Sequence, residues 1–157
     1  MYSRPTLGTL LRRLIEQLDG AVEASYVEDG LDYRPRYTPV VRALVRGGPV
    51  TIRDLAAQTG VSHSATSQTV AQMADRGLVA LTTGADARER IVALSDTAQA
   101  MLPRLERRWA ATEAAARSID ADLGLSVADV VAQALAALER QPFADRIRRS
   151  EAIQPET

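Results

Sequence analysis

Apolar residues recur three and four apart over most of this chain, and the one long departure from that spacing lies in the middle. Leu7, Leu10, Leu11, Leu14, Ile15, Leu18, Val22 and Tyr26 form one stripe, which predicts a helix from Thr6 to about Glu28. Gly20 should weaken it locally by about 1 kcal/mol relative to Ala. Acids, Gly and Pro between Glu28 and Pro35 read as a loop. Val40, Val41, Leu44 and Val45 mark a second helix over Arg36–Arg46, ended by Gly47-Gly48-Pro49. Thr51-Ile52-Arg53-Asp54 has capping-box spacing and opens a third helix, with Leu55 and Ala56 inward. Gly60 supplies a sharp turn, and Ser62 caps a fourth helix to about Arg76, with Ala65, Val70, Met73 and Ala74 as its apolar positions. The period then drops towards two. Leu78–Thr83 and Arg90–Leu94 read as strands around a tip at 84–88.

After Ser95-Asp96 the helical spacing returns with Met101, Leu102, Leu105, Trp109, Thr112, Ala116 and Ile119, and Pro103 should kink this helix or mark a later start. Gly124 stops it. Ser126 caps a further helix with Val127, Val130, Val131, Ala134, Leu135 and Leu138 in register; Phe143–Arg149 reads as a short helical piece, and 150–157 as frayed. The fold class is mainly α, with a helix–turn–helix and a β-hairpin, a winged helix–turn–helix, at its centre. The terminal stripes must be buried, either on the same chain or on a second copy.

Composition narrows the chemistry. At 157 residues and 46% hydrophobic content with only 4% aromatics, the core must be aliphatic. No apolar run reaches the length of a membrane span, and the N-terminal stretch lacks signal-peptide features, so a cytoplasmic location is expected. With no Cys, disulfides, thiol nucleophiles and Cys-rich zinc sites are excluded; with one His, a His-rich metal site and a catalytic triad lack their parts. No Gly-rich phosphate loop is present. The expectation is a protein that is not an enzyme and has no cofactor or metal. Net charge is −1, yet residues 34–108 carry eleven Arg against six acids while both flanks are acidic. Phosphate contact needs such a local basic segment more than an overall positive charge.

A recognition helix meets base edges mainly with its N-terminal residues, which must be polar and small. Ser62, His63, Ser64, Thr66, Ser67, Gln68 and Thr69 fit, since hydroxyls reach bases or phosphates and a Gln amide can pair with adenine. A solvated helix surface would give the same composition, and His63 fits an exposed first-turn residue equally well. Arg88 and Arg90 flank the hairpin tip, where an Arg can enter a narrow minor groove, with Asp86 placed to hold Arg88. A charged, solvated tip is the plainer reading. Arg53 and Arg76 could reach backbone phosphates, or be ordinary surface side chains.

These elements in this order resemble the MarR family of bacterial transcriptional regulators. The likeness is carried by Ile52-Arg53-Asp54-Leu55-Ala56 into Gly60-Val61-Ser62, by Arg76-Gly77-Leu78-Val79, by Asp86-Ala87-Arg88 with Arg90, and by Val92-Ala93-Leu94-Ser95. It covers about residues 7–140. Ser95 and Ala98 stand where the family usually has Thr and Gly. The resemblance implies a homodimer whose terminal helices interleave: an N-terminal dimerisation helix in 1–34, a DNA-binding domain in 35–95, C-terminal dimerisation helices in 96–150, and a frayed tail, 151–157. It implies double-stranded DNA with a palindromic site as partner, and a small aromatic effector bound where the dimerisation helices meet the winged domain. Tyr26, Tyr33, Tyr37 and Trp109 fall near that junction, although core or interface packing would use the same residues. A reading of another class stays open: a winged-helix scaffold for protein–protein contact that no longer binds DNA.

Overall fold

The structure, a computed structural model, describes residues 4–84, 86 and 89–153, the side chains of 152 and 153 excepted. Among the described residues, α1 is Leu7–Glu28, α2 Thr38–Gly47, β1 Val50–Thr51, α3 Ile52–Thr59, α4 His63–Asp75, β2 Val79–Thr83, β3 Arg90–Leu94, α5 Asp96–Leu123, α6 Val127–Arg140 and α7 Phe143–Ile153. A single 3-10 turn, Pro35–Tyr37, leads into α2. The chain divides into two compact units, Met1–Trp109 and Ala110–Thr157.

The first unit is built around one core. Val40, Val41 and Leu44 of α2, Leu55 of α3, Val70 and Met73 of α4, Val79 of β2, Val92 of β3, and Ala98, Leu105 and Trp109 of α5 are buried together. The 28–35 loop contributes to it: Leu31 and Tyr33 point in, while Asp32 between them points out. A three-stranded antiparallel sheet of order β1-β3-β2 sets the hairpin, with Val50 opposite Val92, Leu81 opposite Val92 on its other side, and Thr83 opposite Arg90 at the outer end. The third strand, β1, is absent from the sequence reading because two residues leave no period to detect. The helix starts are local chemistry. Thr6, Thr51 and Ser62 each accept a backbone N–H three residues on, at 3.2, 3.1 and 3.3 Å, satisfying donors that the helix itself cannot.

The weak point expected at Gly20 leaves α1 unbroken, and the later start that Pro103 allowed does not occur. α1 runs through Gly20, because a local loss of about 1 kcal/mol is small against a continuous helix. α5 runs through Pro103, with Ala98 on one side and Leu105 and Trp109 on the other held in the core. The second helix is also shorter at its start than expected, since Pro35 begins a 3-10 turn and α2 opens at Thr38.

The second unit takes up α5 after Trp109, then α6 and α7. Ser126 caps α6 by accepting the Asp129 N–H at 3.2 Å, and the Asp120 carboxylate takes the Val127 N–H at 2.9 Å. No residue of α6 is buried. The last helix continues to Ile153, so residues 150–153, expected to fray, are helical; the rest of the tail lies outside the described residues. No single helix among the described residues is long and apolar enough to cross a membrane.

Candidate nucleic-acid interface

The turn between α3 and α4 aims the fourth helix. Gly60 sits at φ +68°, the left-handed region where a Cβ is strained, and the chain reverses there into the Ser62 cap. Leu55 of α3 shares one core cluster with Val70 and Met73 of α4, and Ala56 beside it is buried. The opposite side of the α4 N-terminus is left to solvent. Ser62, His63, Ser64 and Gln68 are exposed, and Ser67 and Thr69 are half-buried. Their hydroxyls and amide stand around four backbone N–H groups at a helix start, an arrangement suited to phosphates and base edges.

Thr66 does not join them. It is 2% exposed, in line with Val70 and Met73, and its Oγ1 has no hydrogen-bond partner. The inward row of α4 is 66, 70 and 73, one position on from the Ala65 that its apolar character singled out. The expected groove contact by Thr66 is therefore corrected to a core position. Thr is small enough, and with its methyl apolar enough, to be turned inward once Val70 and Met73 fix the helix rotation.

The four expected cationic contacts separate. Arg90 is exposed at the outer end of β3, opposite Thr83. Arg88 lies outside the described residues. Arg53, in the first turn of α3, is 76% exposed at its side chain and approaches Glu89 at 3.4 Å and Asp54 at 3.8 Å. Arg76 caps the far end of α4 and is paired with Asp32 of the 28–35 loop. It ties α4 to that loop, at the end of the helix away from Ser62. At the hairpin, the Gly84 N–H donates to the Glu89 carbonyl and the Glu89 N–H to the Asp86 carbonyl, each at 2.9 Å. Glu89 and Asp32 had no assigned role, and no local pattern could give them one, because their partners lie 36 and 44 residues away.

The same loop is held elsewhere by charge. Arg108 of α5 donates twice to the Asp29 carboxylate, at 2.5 and 2.6 Å, and Arg34 donates to Glu23 of α1 at 2.7 Å. Hydrogen bonding from Arg108 lowers the Asp29 pKa below its ordinary value and raises that of Arg108.

Three of the aromatic candidates are brought together. Tyr26 meets Tyr33 edge-on at 5.0 Å between centroids, and Tyr33 meets Tyr37 edge-on at 5.7 Å. Burial pushes the Tyr33 hydroxyl well above the usual tyrosine range, and it donates to Thr38 Oγ1 at 3.4 Å. Trp109 stands apart from the tyrosines' ring contacts, with the Arg42 guanidinium 4.8 Å from its ring centroid. The Tyr37 hydroxyl and the Trp109 indole N–H are buried without partners. Among the described residues no group of three or more His, Asp or Glu is placed to hold a metal ion.

With this geometry in hand, residues 30–89 match the sequence model of the MarR family. That stretch, which holds α2 to β2, is where the chain is similar to the MarR family. Solved structures agree in fold. The transcriptional regulator MOSR of Mycobacterium tuberculosis, in a complex with DNA, shares 23% identity over 87% of this chain and 99% of its own, with a TM-score of 0.69. The PcaV transcriptional regulator of Streptomyces coelicolor, with its natural ligand, shares 22% identity over 98% of this chain and all of its own, TM-score 0.62. NadR in complex with 4-hydroxyphenylacetate shares 16% over 88% and 95%, TM-score 0.56. Among curated proteins none matches the chain. The matched stretch spans the capped turn, the exposed start of α4 and the first strand of the hairpin, and stops before β3 and the terminal helices.

Proposed function

We propose that this chain is a MarR-family transcriptional regulator that binds palindromic duplex DNA as a homodimer. The observation that carries the reading is the start of α4, where Ser62, His63, Ser64 and Gln68 stand clear of the chain's own core while the helix rotation is locked behind them by Val70 and Met73. A helix held this way can enter a major groove with its N-terminus, and the exposed Arg90 with Arg88 at the hairpin serves the adjoining minor groove. MOSR, of the same fold, binds DNA, which supports the reading.

The second copy is supported by what the first leaves uncovered. Leu7, Leu10, Leu11, Leu14, Ile15 and Leu18 of α1 are exposed, as are Val130, Val131, Leu135 and Leu138 of α6. Burying an aliphatic side chain is worth about 1.5–3 kcal/mol, so two such stripes outweigh a cost of association of about 4–15 kcal/mol. An isologous dimer would use each stripe twice and set two α4 starts one helical turn of DNA apart. A response to a small aromatic acid belongs to the same proposal. NadR binds 4-hydroxyphenylacetate, and here the unpaired Tyr37 hydroxyl and Trp109 N–H, in the same core as Tyr26 and Tyr33, are donors that a carboxylate or phenol would satisfy.

The test is duplex binding to inverted repeats from the protein's own upstream DNA across a salt series, with sedimentation to give the mass of the bound species. Arg88→Ala is expected to weaken binding on all sequences, and Gln68→Ala to change site preference by about 1–3 kcal/mol at one base pair. Trp109 is the only tryptophan, so its fluorescence reports aromatic acids directly. Absence of salt-sensitive binding to any inverted repeat would leave the scaffold reading in its place.

A further inference from the structure

Glu89 is the acidic residue that the hairpin keeps beside its tip. Its backbone is fixed on both sides, the N–H donating to the Asp86 carbonyl and the carbonyl accepting from Gly84, each at 2.9 Å. Its side-chain stem lies over Gly84, where an added Cβ would come within 3.0 Å of Glu89 Cβ and 3.5 Å of Oε2. The carboxylate is thereby directed across to α3, where Oε1 stands 3.4 Å from Nη2 of Arg53. Arg53 is exposed and its two acidic neighbours are loosely placed, at 3.4 and 3.8 Å, so neither holds it as Asp29 holds Arg108. The first helix of a helix–turn–helix crosses the DNA backbone, and Arg53 lies in its first turn.

We propose that Glu89 acts as an internal stand-in for a DNA phosphate: it occupies Arg53 in the free protein and is displaced by a backbone phosphate when duplex binds. An exposed, single-contact carboxylate pair contributes little, whereas a phosphate offers the guanidinium a stronger, charge-assisted partner. The exchange costs the wild type twice. The pair must open, and the released carboxylate, left beside a polyanion, takes back a cation and lowers the net release of counterions. Glu89 therefore restrains affinity and flattens its salt dependence while leaving base readout to α4. This role exists only if the chain binds duplex DNA as set out above.

The experiment is a double-mutant cycle of Glu89→Gln and Arg53→Gln in the full chain, read as duplex affinity and salt slope on one inverted repeat and on an unrelated duplex. Glu89→Gln is expected to bind both duplexes roughly three- to five-fold tighter at low salt and to steepen the slope by up to about one. In the Arg53→Gln background the gain should shrink to the part owed to the carboxylate's own repulsion by the duplex. Glu89→Ala, matched in melting temperature to the wild type, repeats the measurement without the amide. Unchanged or weaker binding by both Glu89 variants overturns the proposal, and so does a gain that is undiminished without Arg53, since that is a general charge effect alone. A wild type that binds neither duplex removes the DNA-binding reading itself; a wild type that binds, with variants that gain nothing, removes only this one.

Discussion

The winged part of the chain and the helices that flank it carry the same kind of amphipathic pattern, yet they end in opposite states. In α2, α3, α4 and the sheet the apolar positions other than Val45 are mostly covered by their own chain, down to Leu55, Met73 and Val92 at 0% exposure. In α1 the stripe from Leu7 to Leu18 stays open, and α6 buries no residue at all. Period alone therefore says that a helix has a face to hide; it does not say from which chain the cover comes. The winged part closes on itself because three helices and a sheet converge on one small volume. The Leu7–Leu18 stretch of α1 and the whole of α6 lie outside that convergence.

That contrast can be broken first at its strongest point. Leu55→Ala removes a fully buried side chain and should cost about 2–5 kcal/mol in urea unfolding, whereas Leu14→Ala in α1 should leave the winged core nearly untouched and act on the concentration dependence of unfolding. Next, Leu135→Glu on α6 should lower the sedimenting mass and, with it, duplex affinity, with far-UV circular dichroism preserved; a monomeric wild type would remove the basis for the comparison. A smaller effect sharpens the boundary within α4 itself. Thr66→Val keeps the shape and removes a buried hydroxyl with no partner, so stability should rise by about 1 kcal/mol with duplex binding intact; a loss of binding would return Thr66 to the interface.

The smallest effect concerns pH. The Asp29 pKa is depressed in the folded chain by Arg108, so the pair contributes stability above the ordinary value of 3.8 and loses it as pH falls through the lower, folded value. Acid titration of the melting temperature should therefore fall less steeply below about pH 4 in Asp29→Asn than in the wild type. A parallel pair of curves would mean that the loop is held by packing of Leu31 and Tyr33 alone.

Much of the architecture was written along the chain itself, because caps, turns and periods are local. Thr51 and Ser62 announce the starts of α3 and α4, Gly60 the turn between them, and the change of period from Leu78 onward the hairpin; each depends on neighbours within a few residues. The polar start of α4 was legible for the same reason, and so was the MarR likeness. What required the tertiary structure was everything set between distant residues. Only packing decided that Thr66, not Ala65, faces the core, since the rotation of a helix is fixed by what it lies against. Only packing turned Arg76 to Asp32, brought Glu89 to Arg53, and gathered Tyr26, Tyr33 and Tyr37 into one edge-on stack. A charge or a ring has no period, so its partner is chosen in space, after the local elements have formed.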